Sequence, residues 1–159
     1  MEFSIATIND KKNILDYYME LDSESYKIFR LKTASLDIVE EFIRNELIDL
    51  FLLYKDNVLV SVIKSSKGNG DGAHSSCLNI STRQKHRNKG YAKKLIKFAI
   101  DQLKKDNIKI IRVEIFSWNK PAIATIEKAG FTLSGRIVMS HYDEELGDYI
   151  DDLLYHKFL

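Results

Sequence analysis

The chain has 159 residues, 45% of them hydrophobic and 30% charged, with one Cys, one Pro and seven Gly. Such a composition fits one globular domain over residues 1–159 and excludes an internal disulfide, a Cys-based zinc cluster and a Pro/Gly-rich linker. The formal net charge of +1 hides an uneven distribution: residues 1–60 sum to −5, 61–140 to +11 and 141–159 to −5.

No apolar run reaches the ~18–20 residues needed to span a bilayer. The first residues, MEFSIATINDKK, carry acids and no basic leader. A cytoplasmic protein, with no membrane partner, is the expectation. Residues 3–8 alternate apolar with small or polar side chains and predict a first strand. Asp10 is placed to cap a helix through about Leu21, and Ser35 to cap a second running to about Ile48. The runs LFLLY and VLVSVI flank Lys55, Asp56 and Asn57 and predict an antiparallel hairpin. A third extended run, His74 to Thr82, follows the loop KGNGDGA.

An amphipathic helix is expected over 90–104, because Ala92, Leu95, Ile96, Ala99 and Leu103 recur at three- and four-residue steps. Residues 108–116, IKIIRVEIF, are the most β-rich run in the chain. Strand 74–82, helix 90–104 and strand 108–116 have the order of a βαβ unit, hence a parallel pair. A short helix is predicted after Trp118-Asn119-Lys120, with Pro121 in its first turn and Gly130 as its C-terminal cap. Runs 132–142 and 149–158 read as a closing hairpin. The fold class is α/β: a mixed sheet, β-α-α-β-β-β-α-β-α-β-β, with one parallel pair near its centre.

Two glycine-containing segments suggest phosphate chemistry. Gly68-Asn69-Gly70-Asp71-Gly72-Ala73 matches a dinucleotide pattern formally, but an extended run follows it where a helix N-terminus is required, so it predicts an exposed hairpin tip. Arg87-Asn88-Lys89-Gly90-Tyr91-Ala92 lies between a strand and a helix. There a glycine lets backbone approach an anion, and the first-turn amides and helix dipole favour negative charge. No Asp or Glu interrupts residues 72–100, which hold Arg83, Lys85, Arg87, Lys89, Lys93, Lys94 and Lys97. This positive field suits a phosphorylated cofactor or a nucleic acid. The pI of about 7.8 is below the ~9 expected of a dedicated nucleic-acid binder.

RNKGYA resembles the [RQ]xxGx[GA] pyrophosphate loop of the GNAT superfamily of acyl-CoA-dependent N-acetyltransferases. Asn119-Lys120-Pro121-Ala122, followed by Glu127-Lys128-Ala129-Gly130-Phe131, is similar to that family's N-x-x-A and EKxGF segments. The element order agrees over essentially the whole chain. The resemblance implies acetyl-CoA as co-substrate and direct transfer of its acetyl group to a primary amine in a ternary complex. It implies that pantetheine runs beside the backbone of Ile80 and Thr82, and that the pyrophosphate meets Arg87, Asn88, Lys89, Gly90, Tyr91, Ala92 and Lys93. Asn119 would hydrogen-bond the pantetheine region, cap the helix before Pro121, or do both. Thr82 and Gln84 replace the commoner Val and Pro without removing backbone groups. No metal and no nucleic acid are implied. A homodimer through the last strands is a family option.

An alkylammonium must lose a proton before it attacks a thioester. Glu114 matches a general base of members that acetylate protein N-termini, and it reads equally as half of a surface pair with Arg112. Ile126 stands where many members carry a tyrosine that protonates the leaving thiolate. Tyr142 and Ser117 are alternatives for that role, and the departure leaves open a non-catalytic acyl-CoA-binding module. Cys77 is expected in the core. His74, His86, His141 and His156 lack metal-ligand spacing and read as surface or core residues. The acids Asp143, Glu144, Glu145, Asp148, Asp151 and Asp152 read as a solvated hairpin tip, with attraction of a cationic acceptor as the alternative. Tyr26, Phe29 and Arg30 fall where the family builds its acceptor wall.

Overall fold

The structure, a computed structural model, describes residues 1–24, 35–144 and 146–159. These residues form β1 (Glu2–Ile5), α1 (Lys11–Asp22), α2 (Leu36–Arg44), β2 (Ile48–Lys55), β3 (Val58–Lys67), β4 (Ser75–Thr82), α3 (Tyr91–Lys105), β5 (Ile110–Phe116), α4 (Lys120–Lys128), β6 (Thr132–Asp143) and β7 (Asp148–Phe158). Every predicted element within them is present. Tyr26, Phe29, Arg30 and Glu145 lie outside the described residues.

The largest boundary difference is at α2, which ends at Arg44 rather than near Ile48. Asn45 leaves the helical region at ψ 115°, and its Oδ1 accepts from the Leu47 amide at 2.9 Å. Ile48 is thereby released to pair with Ser66. The Ser35 hydroxyl does cap the helix, accepting from Ile38 N at 3.3 Å. Between β2 and β3, Asp56 and Asn57 both take positive φ, 51° and 64°, the backbone that a two-residue hairpin turn demands.

One seven-stranded sheet runs β1-β2-β3-β4-β5-β7-β6. Only β4–β5 is parallel. Helices α1 and α2 cover one face with Ile14, Tyr17, Leu21 and Val39 on Leu50, Leu52 and Val62. Helices α3 and α4 cover the other, placing Leu95, Ile96, Ala99, Leu103 and Ile126 on Ile63, Leu78, Ile111, Val113 and Tyr155. Strand alternation therefore buries Ile111, Val113 and Ile115 of β5 and leaves Arg112 and Glu114 exposed on the opposite face.

The central pair is a fork. β4 pairs with β3 along its length, to Ser61↔Thr82, and β5 pairs with β7 as far as Phe116↔Asp152. To each other they pair only at Ser75↔Ile110, Ser76↔Ile111 and Cys77↔Arg112. Beyond Cys77 and Arg112 the strands part, each pinned by its outer neighbour. The backbone groups on the two facing edges then lack a ladder partner, and such groups require one from elsewhere.

Candidate active site

The open end of the fork is flanked by the starts of α3 and α4. Helix α3 begins at Gly90, whose φ of 75° is left-handed, and no side chain caps it. The first bond inside the helix runs from Lys94 N to Gly90 O at 3.2 Å. Among the described residues the amides of Tyr91, Ala92 and Lys93 have no protein acceptor, so three donors and the positive end of the helix dipole face outward. A Cβ built on Gly90 would meet no atom within 4 Å; the space above the turn is open. Asn88, at φ 61°, helps turn the chain into this position.

The basic side chains divide their tasks. Arg87 donates from Nε to the Thr82 carbonyl at 3.0 Å and pairs with Glu24. Arg83 donates from Nε to Leu59 O at 2.7 Å, pairs with Glu20 and lies over the Tyr17 ring. These two guanidiniums tie the segment after β4 to the last turn of α1 and to Glu24 just beyond it, a role the sequence pattern did not reveal. Lys89 bends back onto Lys85 O at 2.9 Å. Burial, and then the charges of Lys89, Arg83 and Lys85, hold His86 below the usual imidazole range. On the β4 edge Ile80 and Thr82 are half-buried, and the Thr82 hydroxyl shares a hydrogen bond with Ser61 at 2.9 Å. At α4, Asn119 Oδ1 accepts from Ala122 N at 3.3 Å, so the expected cap is made.

RNKGYA thus forms an uncapped helix start beside a parted parallel pair. A family model described as "Acetyltransferase (GNAT) family" matches residues 15–131. The chain belongs to the GNAT acetyltransferase family. No curated protein sequence matches it significantly. Among solved structures, this GNAT chain superposes on a ribosomal-protein-alanine N-acetyltransferase from Brucella melitensis with a TM-score of 0.86, at 17% identity and 100% coverage of both chains. A GNAT-family acetyltransferase from Streptococcus pneumoniae gives 0.81 at 18% identity, covering 99% of this chain and 100% of that one. Salmonella typhimurium yncA, solved with its cofactor acetyl-CoA, gives 0.84 at 16% identity, covering 99% and 94%. At these identities the likeness establishes the fold.

The chemical residues of this GNAT domain are distributed as follows. Glu114 is exposed on the open face of β5, and among the described residues no ion pair joins it to Arg112. Cys77 was expected in the core and is instead exposed, because β4 turns Ser76 and Leu78 inward and Cys77 outward. Packing around its sulfur, and then the Glu114 carboxylate, push the thiol up, which disfavours a thiolate nucleophile. Ile126 is 3% exposed within the core and offers no polar atom. Tyr142 packs edge-on against Tyr149, and both are exposed.

The acidic run does not behave as one solvated tip. Asp143 and Asp148 bond amides of the turn, Leu146 N and Tyr149 N. Asp151 holds Met139 N at 2.7 Å and pairs with Arg136; these two bonds keep its carboxyl below the usual range. Asp152 is 3% exposed and accepts from Ser140 Oγ at 2.6 Å and contacts His141 Nε2 at 2.9 Å. Adjacent residues of a strand face opposite ways, so the Asp151-Asp152 doublet was the sequence signal that one carboxylate points inward.

Proposed function

We propose that residues 1–159 form a single N-acetyltransferase domain that moves an acetyl group from acetyl-CoA to a primary amine of a small molecule or peptide, by direct attack in a ternary complex. The observation that carries this reading is the fork itself, with an uncapped, glycine-started helix at its mouth. The residues present fit the co-substrate. The amides of Asn88 to Lys93 and the open space over Gly90 suit a pyrophosphate. The β4 edge at Ile80 and Thr82, which has no strand partner on the β5 side, suits the amides of a pantetheine arm, and Asn119 retains its Nδ2 donor beyond the bond it accepts. The family match and the acetyl-CoA held by the Salmonella relative support the same assignment.

The bound thioester would supply an activated acetyl group. The protein's own part is to hold it, to admit the amine, and to take up protons. Glu114 is the carboxylate assigned to remove the first proton from the acceptor ammonium, directly or through water. It is exposed on the sheet face opposite α3 and α4, beside the fork. Exposed Ile137, Val138 and Met139 on the edge strand β6 support a homodimer formed through the last strands. A cytoplasmic setting belongs to the same reading.

The test is a screen of amine classes for release of the CoA thiol, followed by Glu114→Gln with the best acceptor. General-base help is worth about 10²–10⁴ in rate. The variant is expected to lose kcat/KM by that order while binding acetyl-CoA as wild type does. Wild-type kcat/KM in Glu114→Gln across pH 6–9 would place the base elsewhere. If acetyl-CoA binds and no amine gives release, a non-catalytic acyl-CoA-binding module replaces the enzyme.

A further inference from the structure

We propose that His141, oriented by the buried carboxylate of Asp152, is a second proton acceptor of this site, taking the proton that the acceptor nitrogen sheds after attack. The inference rests on the acetyltransferase reading above. An ammonium that becomes an amide loses two protons. The first leaves before attack and is assigned to Glu114. The second leaves as the carbon–nitrogen bond forms and the carbon–sulfur bond breaks. One of the two ends on the CoA sulfur and the other in solvent: ammonium and thioester give amide, thiol and one free proton. Ile126 can handle neither.

The local backbone is built around this histidine. β6 and β7 pair regularly to Ile137↔Asp152 and resume at His141↔Ile150. Val138, Met139 and Ser140 therefore stand opposite Asp151 alone. Met139 sits at φ 52°, an unfavourable conformation for a residue with a side chain, and Asp151 holds it there through its amide. The bulge turns Ser140 and His141 together onto Asp152. A carboxylate this buried is costly unless bonded, and Asp152 bonds both. Strain and a buried charge in one short stretch are the pattern found where side chains are held for chemistry.

The stretch also lies at the fork. Asp152 is the ladder partner of Phe116, the last residue of β5. The Phe116 ring meets His141 edge-on at 5.5 Å and stacks on Trp118 at 5.9 Å, and Phe116 O accepts from Asn119 N at 2.9 Å. Glu114 and Phe116 share the face of β5 that α3 and α4 do not cover. Through Asp152 and the Phe116 ring, His141 reaches the end of the β5 face that carries Glu114, with β7 between their two strands. With Nε2–H donated to Asp152, the ring is held in the tautomer whose acceptor nitrogen is Nδ1. Among the described residues, the charged groups on the elements packed around it are Asp152 and Asp151 on β7, Arg136 and Asp143 on β6 and Glu114 on β5.

The experiment uses the best amine from the screen. His141→Gln is expected to lower kcat by about 10²-fold or more, with calorimetric affinity for acetyl-CoA unchanged. His141→Ala is expected to lose turnover likewise and to regain it on addition of free imidazole, which leaves the wild type unaffected. Wild-type kcat in His141→Gln, or a His141→Ala enzyme that imidazole does not restore, overturns the assignment while the acetyltransferase reading stands. A wild-type protein that binds acetyl-CoA and releases no CoA with any amine class overturns that reading, and this assignment with it.

Discussion

Helices α3 and α4 start on either side of the same fork and finish their first turns in opposite ways. At α4 each early amide is accounted for: Lys120 N reaches Trp118 O at 2.8 Å, Pro121 has no N–H, Ala122 N reaches the Asn119 side chain, and Ile123 N reaches Asn119 O at 3.1 Å. At α3 a glycine replaces the capping side chain, and three amides are left without a protein partner among the described residues. An unsatisfied helix start is tolerable only where water or a ligand completes it. The contrast marks α3 as the end left open and α4 as the end that fixes the chain.

The largest effect is expected at Gly90. Gly90→Val forces a β-branched residue into φ 75° and fills the open space over the turn, at a cost of about 1–2 kcal/mol in stability. Hydrogen bonds to a charged group contribute about 1.5–3 kcal/mol each. Acetyl-CoA affinity should therefore fall at least about tenfold for each phosphate bond lost. Calorimetry showing equal affinity in variant and wild type would abolish the distinction between the two helix starts.

Next comes charge. If Lys85, Lys89 and Lys93 gather around a phosphorylated ligand, CoA should bind more tightly than dephospho-CoA or pantetheine, and the gap should narrow as salt rises. A steep salt slope for oligonucleotides with no measurable CoA binding would assign the basic segment to nucleic acid instead.

At α4 the expected effect is on the fold. Asn119→Ala removes a cap worth about 1 kcal/mol, to be read from denaturant unfolding. Asn119→Asp keeps the capping oxygen and loses the Nδ2 donor. A fall in acetyl-CoA affinity in the Asp variant without a fall in stability would show that α4 also touches the cofactor. Unchanged affinity would leave Asn119 a cap alone.

The smallest effect is a fraction of a proton. Burial and the charges of Lys89, Arg83 and Lys85 depress His86, so in the free protein it protonates only below the ordinary value of about 6.5. An anion bound beside it raises that value. Binding should then take up protons, and affinity should rise as pH falls through the region below about 6.5. Calorimetry in buffers of differing ionisation heat measures the uptake. For the folded protein alone the sign is the reverse. A depressed histidine contributes most while neutral, and that contribution is lost as pH falls from the unfolded towards the folded value.

Much of the cofactor side was legible because it is local. The glycine at 90, the apolar stripe of α3, Asn119 before Pro121 and the β-rich run of β5 are short-range signals, and each element formed where its residues directed. Cys77 and the acidic run were misjudged for one reason. Whether a strand residue is buried depends on what packs against its face, which only tertiary contacts decide. Asp152 was read as solvated because its partners, Ser140 and His141, reach it only across the bulge between β6 and β7.

By itself the sequence determined the order and type of the elements, the family, and the glycine-started turn before α3, since hydrophobic period, turn residues and a contiguous motif are written within a few positions. The tertiary structure alone decided where β4 and β5 part, that Arg83 and Arg87 tie the turn to the end of α1 and to Glu24 beyond it, and that His141 meets Asp152 beside Phe116. These contacts join residues far apart along the chain. They depend on sheet register and on a three-residue bulge, which no local pattern specifies.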